Sequence, residues 1–99
     1  MNQAKVELLV MAAQSGNKQA FTALVTHFNK PLLRFAYMLS KDEALAHDAV
    51  QEAWLKLTKS LRRLNDPRAF RSWIYQLVRW KTLDQMRQKK PDHISIDTI

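Results

Sequence analysis

Arginine and aromatic side chains in the last third of the chain carry the chemistry this sequence can do. Between Leu61 and Trp80 stand Arg62, Arg63, Arg68, Arg71 and Arg79, with Asn65, Tyr75 and Trp80 among them. Guanidinium groups grip phosphates and read base edges, while an aromatic ring stacks on an unpaired base for about 1–3 kcal/mol. The connection Arg62-Arg63-Leu64-Asn65-Asp66 is short, polar and basic. A loop rich in donors beside an aromatic face is what recognition of a single strand or a flipped base requires. At 100° per residue Arg71, Tyr75, Arg79 and Thr82 share one helical face, set apart from the core stripe. Trp73, three positions after Phe70, reads as core, and Trp80 lies at the flank of that stripe, where it can pack or stack.

A second group of side chains points to protein binding. On the preceding helix Asp48, Gln51, Glu52, Leu55 and Lys59 fall opposite the core stripe. An apolar Leu55 ringed by Asp48, Gln51 and Glu52 has the anatomy of a small docking patch with a polar rim. The plainer reading stays open, since single exposed leucines are ordinary. Acidic residues near a helix start also complement its dipole, which accounts for Asp42 and Glu43.

Nothing in the sequence assembles a catalytic centre. His27, His47 and His93 stand on different segments without metal-ligand spacing, and the chain has no cysteine, nucleophile elbow or glycine-rich phosphate loop. No catalytic residue, metal ligand or cofactor is therefore assigned, and an enzyme is not expected. Apolar runs such as Leu8 to Ala13 are too short to span a bilayer, and no signal-peptide pattern opens the chain. With the absence of cysteine, this suits a cytoplasmic protein.

Charge is segregated along the chain. Basic and acidic residues number 5 and 4 up to residue 49, 11 and 3 from 50 to 90, and 0 and 2 beyond. A cluster of that sign is the electrostatic footprint of a phosphate-backbone partner, although a solvated surface can look the same.

These side chains need rigid elements to position them, and the sequence supplies helices. One glycine and three prolines in 99 residues leave few hairpin corners, and helix formers dominate. The pattern predicts an all-α fold, a compact bundle of four helices with a kinked second helix. The first covers about Asn2 to Gln14, with Val6, Leu9, Val10 and Ala13 inward, and ends at Ser15-Gly16-Asn17. The second covers about Lys18 to Leu39, with Phe21, Leu24, Val25, Phe28, Leu32, Phe35 and Leu39 on one face. Pro31 should kink it, or split it near Asn29. Ser40 and Glu43 form a capping-box pattern that opens the third, whose core face is Ala46, Ala49, Val50, Ala53, Leu57 and Leu61. Asp66-Pro67 opens the fourth, which runs to Lys90 with Phe70, Trp73, Ile74, Leu77 and Val78 inward. Residues 1–90 thus form the domain, and 91–99 read as the start of a linker or an extended arm.

Three runs together resemble a known family: Ala46-His47-Asp48-Ala49-Val50-Gln51-Glu52-Ala53-Trp54-Leu55, then Phe70-Arg71-Ser72-Trp73-Ile74-Tyr75, then Leu83-Asp84-Gln85-Met86-Arg87. Their order and spacing are similar to region two of bacterial extracytoplasmic-function sigma factors, over about residues 5 to 98. The resemblance implies a domain that binds core RNA polymerase and recognises and melts the promoter minus-ten element. It would place Asp48, Gln51, Glu52 and Leu55 on the clamp coiled coil of the largest polymerase subunit. The loop Arg62 to Asp66 would take a base flipped from the non-template strand, supported by Arg68, Phe70, Arg71, Tyr75, Arg79 and Trp80. An anti-sigma factor is a further partner implied by the family.

The chain departs from the family where it carries Trp80 in place of asparagine and Lys81 in place of an apolar residue. The tryptophan pair that housekeeping sigma factors use in melting is replaced by Gln76 and Leu77. Ile94-Ser95-Ile96-Asp97 resembles the start of a linker to a second domain that reads the minus-thirty-five element, which suggests a truncated piece. Two other functions suit the composition. A helix-turn-helix regulator would bind duplex DNA without polymerase, using two small helices around a short turn. A helical protein-interaction module would carry its charge only for solubility.

Overall fold

The computed structural model describes residues 1–89, so Lys90 and the expected linker 91–99 lie outside the described residues. Four helices account for most of it: α1 Gln3–Gln14, α2 Lys18–Ser40, α3 Glu43–Ser60 and α4 Phe70–Lys89. Two short 3-10 turns, Leu61–Arg63 and Pro67–Ala69, bridge α3 and α4. No strand occurs among the described residues, as the sequence predicts.

Local chemistry sets most of the boundaries. Asn2 and Asn17 cap α1 and α2 through side-chain oxygens that accept from the amides of Lys5 and Ala20 at 2.8 and 2.9 Å. Between these helices Gly16 takes φ +99°, a conformation that disfavours any side chain. Pro31 sits within α2 without interrupting it, so the alternative of two helices with a break near Asn29 does not occur.

The start of α3 differs from expectation. Lys41 adopts a left-handed conformation, φ 56°, and its amide donates to the Tyr37 carbonyl at 2.7 Å, which closes α2 at Ser40. That turn moves the cap two residues on. Asp42, not Ser40, accepts from the Leu45 amide at 3.0 Å. Ser40 instead accepts from the Asp42 amide through its hydroxyl.

The core lies where the helical stripes converge. Val6 and Val10 of α1, Leu24, Phe28 and Leu32 of α2, Val50 and Leu57 of α3, and Phe70, Ile74 and Val78 of α4 are all sealed from solvent. The rings of Phe28 and Phe70 meet at 5.5 Å, and those of Phe35 and Tyr75 at 5.2 Å. Phe28 meets Phe70 and Phe35 meets Tyr75, so α2 and α4 run in the same direction. Lys89 reaches Asp42 at 3.3 Å and Lys81 reaches Glu52 at 3.6 Å, so α4 runs antiparallel to α3. None of the described helices is long and apolar enough to cross a membrane.

Thr82 corrects the sequence reading. Helical spacing places it on the outward face with Arg71, Tyr75 and Arg79, but it is completely buried in line with Phe70, Ile74 and Val78. Its hydroxyl donates to the Val78 carbonyl at 2.7 Å, so a polar side chain enters the core with its hydrogen bond made inside its own helix.

Candidate nucleic-acid interface

The segment between α3 and α4 is anchored from below and open above. Leu61 is buried and Leu64 packs against the core, which fixes the two apolar positions of the connection. Gln14, at the end of α1, adds a polar clamp. Its amide nitrogen donates to the carbonyls of both Leu61 at 3.1 Å and Leu64 at 2.8 Å. With these anchors in place, Arg62, Arg63 and Asn65 are left exposed to solvent. Among the described residues none of the three enters a side-chain hydrogen bond or ion pair.

Asp66 and Arg68 behave differently from those three. The Asp66 carboxylate accepts from the Arg68 amide at 3.0 Å and from its guanidinium at 3.0–3.2 Å. The guanidinium, and then the backbone amide, hold the Asp66 carboxyl below its ordinary range, while the same contact raises Arg68. Asp66 is thus the cap that launches the turn into α4, as the Asp-Pro pair suggests. Arg68 reaches a nucleic acid only by exchanging one anion for another.

On α4, Arg71 and Tyr75 lie side by side against α2. The Arg71 guanidinium sits 5.1 Å from the centre of the Phe28 ring, a cation–π contact that orients it while leaving the residue exposed. Tyr75 is half-buried, with its ring edge against Phe35. Arg79, one turn further along, is exposed.

Phe70 does not belong to the contact surface. Its ring is completely buried against Phe28, so it supports the loop and cannot touch DNA. Trp80 is half exposed but stands with Lys81, whose ammonium lies 4.9 Å from its ring centre and also pairs with Glu52 of α3. The fold therefore sets Trp80 toward the α3 side, apart from Arg71 and Tyr75.

The α3 patch is partly as expected. Asp48, Gln51 and Leu55 are exposed, Leu55 at 66%. Glu52 is also exposed but tied to α4, accepting from Gln85 at 3.0 Å and pairing with Lys81. Next to Leu55 an open hollow of about 440 Å³ runs between α2 and α3, lined by Phe21, Val25, Gln51 and Trp54 among others. Trp54, absent from the core face read in the sequence, is buried with its ring edge-on to Phe21 at 5.9 Å, and its indole nitrogen has no hydrogen-bond partner. The Gln14 clamp on this connection has no signal in the sequence. Nothing local marks a side chain that acts 47 and 50 residues away.

Comparison with known proteins identifies the family. The family model for sigma-70 region 2 matches residues 24–91. Over 84 residues the chain is 25% identical to the ECF RNA polymerase sigma factor SigW of Bacillus subtilis, covering 85% of this chain and 45% of that protein. It is 38% identical over 58 residues to a probable RNA polymerase sigma factor of Haemophilus influenzae, covering 59% of this chain and 30% of the relative. Against the RNA polymerase sigma-H factor of Pseudomonas aeruginosa it is 30% identical over 78 residues, which is 79% of this chain and 40% of that one. The chain spans less than half the length of each of these relatives. No solved structure matches it. With more than half of its residues under the family model, the chain belongs to the sigma-70 region 2 family.

Proposed function

We propose that this domain docks on core RNA polymerase and opens promoters by capturing a minus-ten base from the non-template strand. The observation that carries the reading is the anchored loop. Leu61, Leu64 and Gln14 hold its backbone, Arg62, Arg63 and Asn65 are exposed on it, and the helix that follows carries Arg71 and Tyr75. A captured base needs pre-positioned donors and a stacking ring, and ordering them in advance reduces the entropy lost on binding. Tyr75 supplies the ring and Arg71 and Arg79 supply phosphate contacts, while Phe70 keeps the loop's far end in place.

The exposed Leu55, flanked by Asp48 and Gln51, is the docking point for the clamp coiled coil of the largest polymerase subunit. Base flipping costs a few kcal/mol, so the domain alone opens duplex poorly and the docked enzyme supplies the remainder. Such a factor works in the cytoplasm, where its polymerase is. The test is promoter-specific transcription by core polymerase with the longer parent protein. Alanine at Arg62, Asn65 and Tyr75 should abolish opening while leaving polymerase binding intact; unchanged opening would refute the loop's role.

A further inference from the structure

The positive surface extends beyond α4. Over its 23 residues α2 carries Lys18, His27, Lys30 and Arg34 and not one aspartate or glutamate. The part of α4 beside it is also free of acid from Phe70 until Asp84. The nearest acids stand on other elements, Glu7 on α1, Asp66 in the connection, and Glu43, Asp48 and Glu52 on α3, and of these Glu43 lines the same hollow as Arg34.

Packing brings the two acid-free helices together. Arg71 reaches from α4 over the Phe28 ring of α2, and the His27 ring stands edge-on to the same ring at 4.8 Å. His27 and Arg34 are seven residues apart, two helical turns, so they rise on one side of α2, with Lys30 toward its outer edge. Lys30, Arg34, Arg71 and Arg79 are all exposed. Ion pairs among the described residues engage Arg68, Lys81, Arg87 and Lys89 and none of those four. Burial first, and then the positive charges of the amino terminus and Arg71, hold the His27 imidazole below its ordinary pKa.

Exposed cations with no ion-pair partner among the described residues are open to an anion, and cations spaced along one helix fit a repeating anion better than a single one. We propose that Lys30 and Arg34 of α2, with the neutral His27 imidazole beside them as a hydrogen-bond donor, form a second phosphate track, which carries the backbone of the same strand onward from the loop. The stretch from His27 to Arg34 rises about 10 Å, which corresponds to about three base steps of a strand. This inference rests on the loop being a base-binding site, and its test separates the two.

Binding of the 99-residue chain to single-stranded oligonucleotides would be measured against salt. A short oligonucleotide covers the captured base and its immediate neighbours; two longer ones extend it by about six nucleotides at one end or the other. For Lys30→Gln with Arg34→Gln, affinity for the short oligonucleotide should be unchanged. For one of the extended oligonucleotides the slope of log K against log salt should shrink by about 1.4, from two lost contacts at about 0.7 each for a single strand. An unchanged slope with both extended oligonucleotides overturns the track, even if Asn65→Ala weakens binding throughout. If Asn65→Ala has no effect on any oligonucleotide, the loop reading fails and the track falls with it. Equal weakening of the short and extended forms by the double substitution also overturns it, because a general charge effect then suffices.

Discussion

Replacing Gln14 with leucine removes the clamp under the loop and nothing else of comparable size. The side chain is partly buried and donates to two carbonyls, those of Leu61 and Leu64, which lie on the segment that presents Arg62, Arg63 and Asn65. A hydrogen bond of this kind contributes about 0.5–1.5 kcal/mol net, so losing both costs about 1–3 kcal/mol. For a domain of this size that lowers Tm by roughly 4–8 °C per kcal/mol, or about 10 °C for the middle of the range. Thermal unfolding followed by circular dichroism reads the stability. Amide exchange at Leu64, whose N–H donates to the Leu61 carbonyl at 3.1 Å, reads the loop itself. In the Gln14→Leu variant that amide should exchange faster than amides of the α4 core, and binding of a single-stranded minus-ten oligonucleotide should weaken although Gln14 touches no DNA. A Tm within about 2 °C of the parent and unaltered exchange at Leu64 would refute the idea that α1 holds the loop.

Three further outcomes follow from the packing and charges. Phe70→Ala should cost about 3–5 kcal/mol in chemical denaturation, whereas Phe70→Leu should fold and keep its affinity for single-stranded DNA, because the ring is sealed behind the loop. Leu55→Asp should change stability by no more than about 0.5 kcal/mol, since the side chain is exposed, yet weaken polymerase association by at least roughly 30-fold in a pull-down or anisotropy titration. The carboxyls of Asp42 and Asp66 have folded-state pKa values below 3.8, Asp42 mainly through the Leu45 amide and then Lys89, Asp66 mainly through the Arg68 guanidinium. Depressed carboxyls stabilise the fold fully above their unfolded value and lose that contribution as pH falls through the folded one. Melting curves should therefore decline below about pH 4, and Asp42→Asn with Asp66→Asn should make that decline shallower.

Much of this was legible because it is local. Gly16-Asn17 and Asp66-Pro67 mark helix boundaries by chemistry within four residues, and the structure uses both. Apolar spacing placed Leu24, Phe28, Leu32, Ala53 and Ile74 inward and Leu55 outward, as observed. What failed was decided by choices between near-equivalent local states or by distant partners. Ser40 and Asp42 can each cap a helix, and a single left-handed residue, Lys41, selects between them. Thr82 looks polar to any periodicity argument, but a hydroxyl that bonds its own helix can be buried at little cost. The Gln14 clamp and the Lys81–Glu52–Gln85 cluster join residues some 30 to 50 positions apart, and no pattern along the chain announces them. Phe70 illustrates both sides. Its helical spacing pointed to the core while its place in the motif pointed to DNA, and complete burial decides for the core.

The central claim is that the loop from Arg62 to Asp66 holds one unpaired base. Its most direct test is the affinity of the 99-residue chain for a single-stranded minus-ten oligonucleotide in which each base in turn is replaced by an abasic site, with amide chemical shifts recorded alongside. One position should stand out, weakening binding by roughly 5- to 150-fold, the equivalent of about 1–3 kcal/mol of stacking. At that position alone, the binding-induced shifts at Arg62, Arg63 and Asn65 should vanish. Uniform affinity across all abasic positions, or shifts confined to α3, would contradict it.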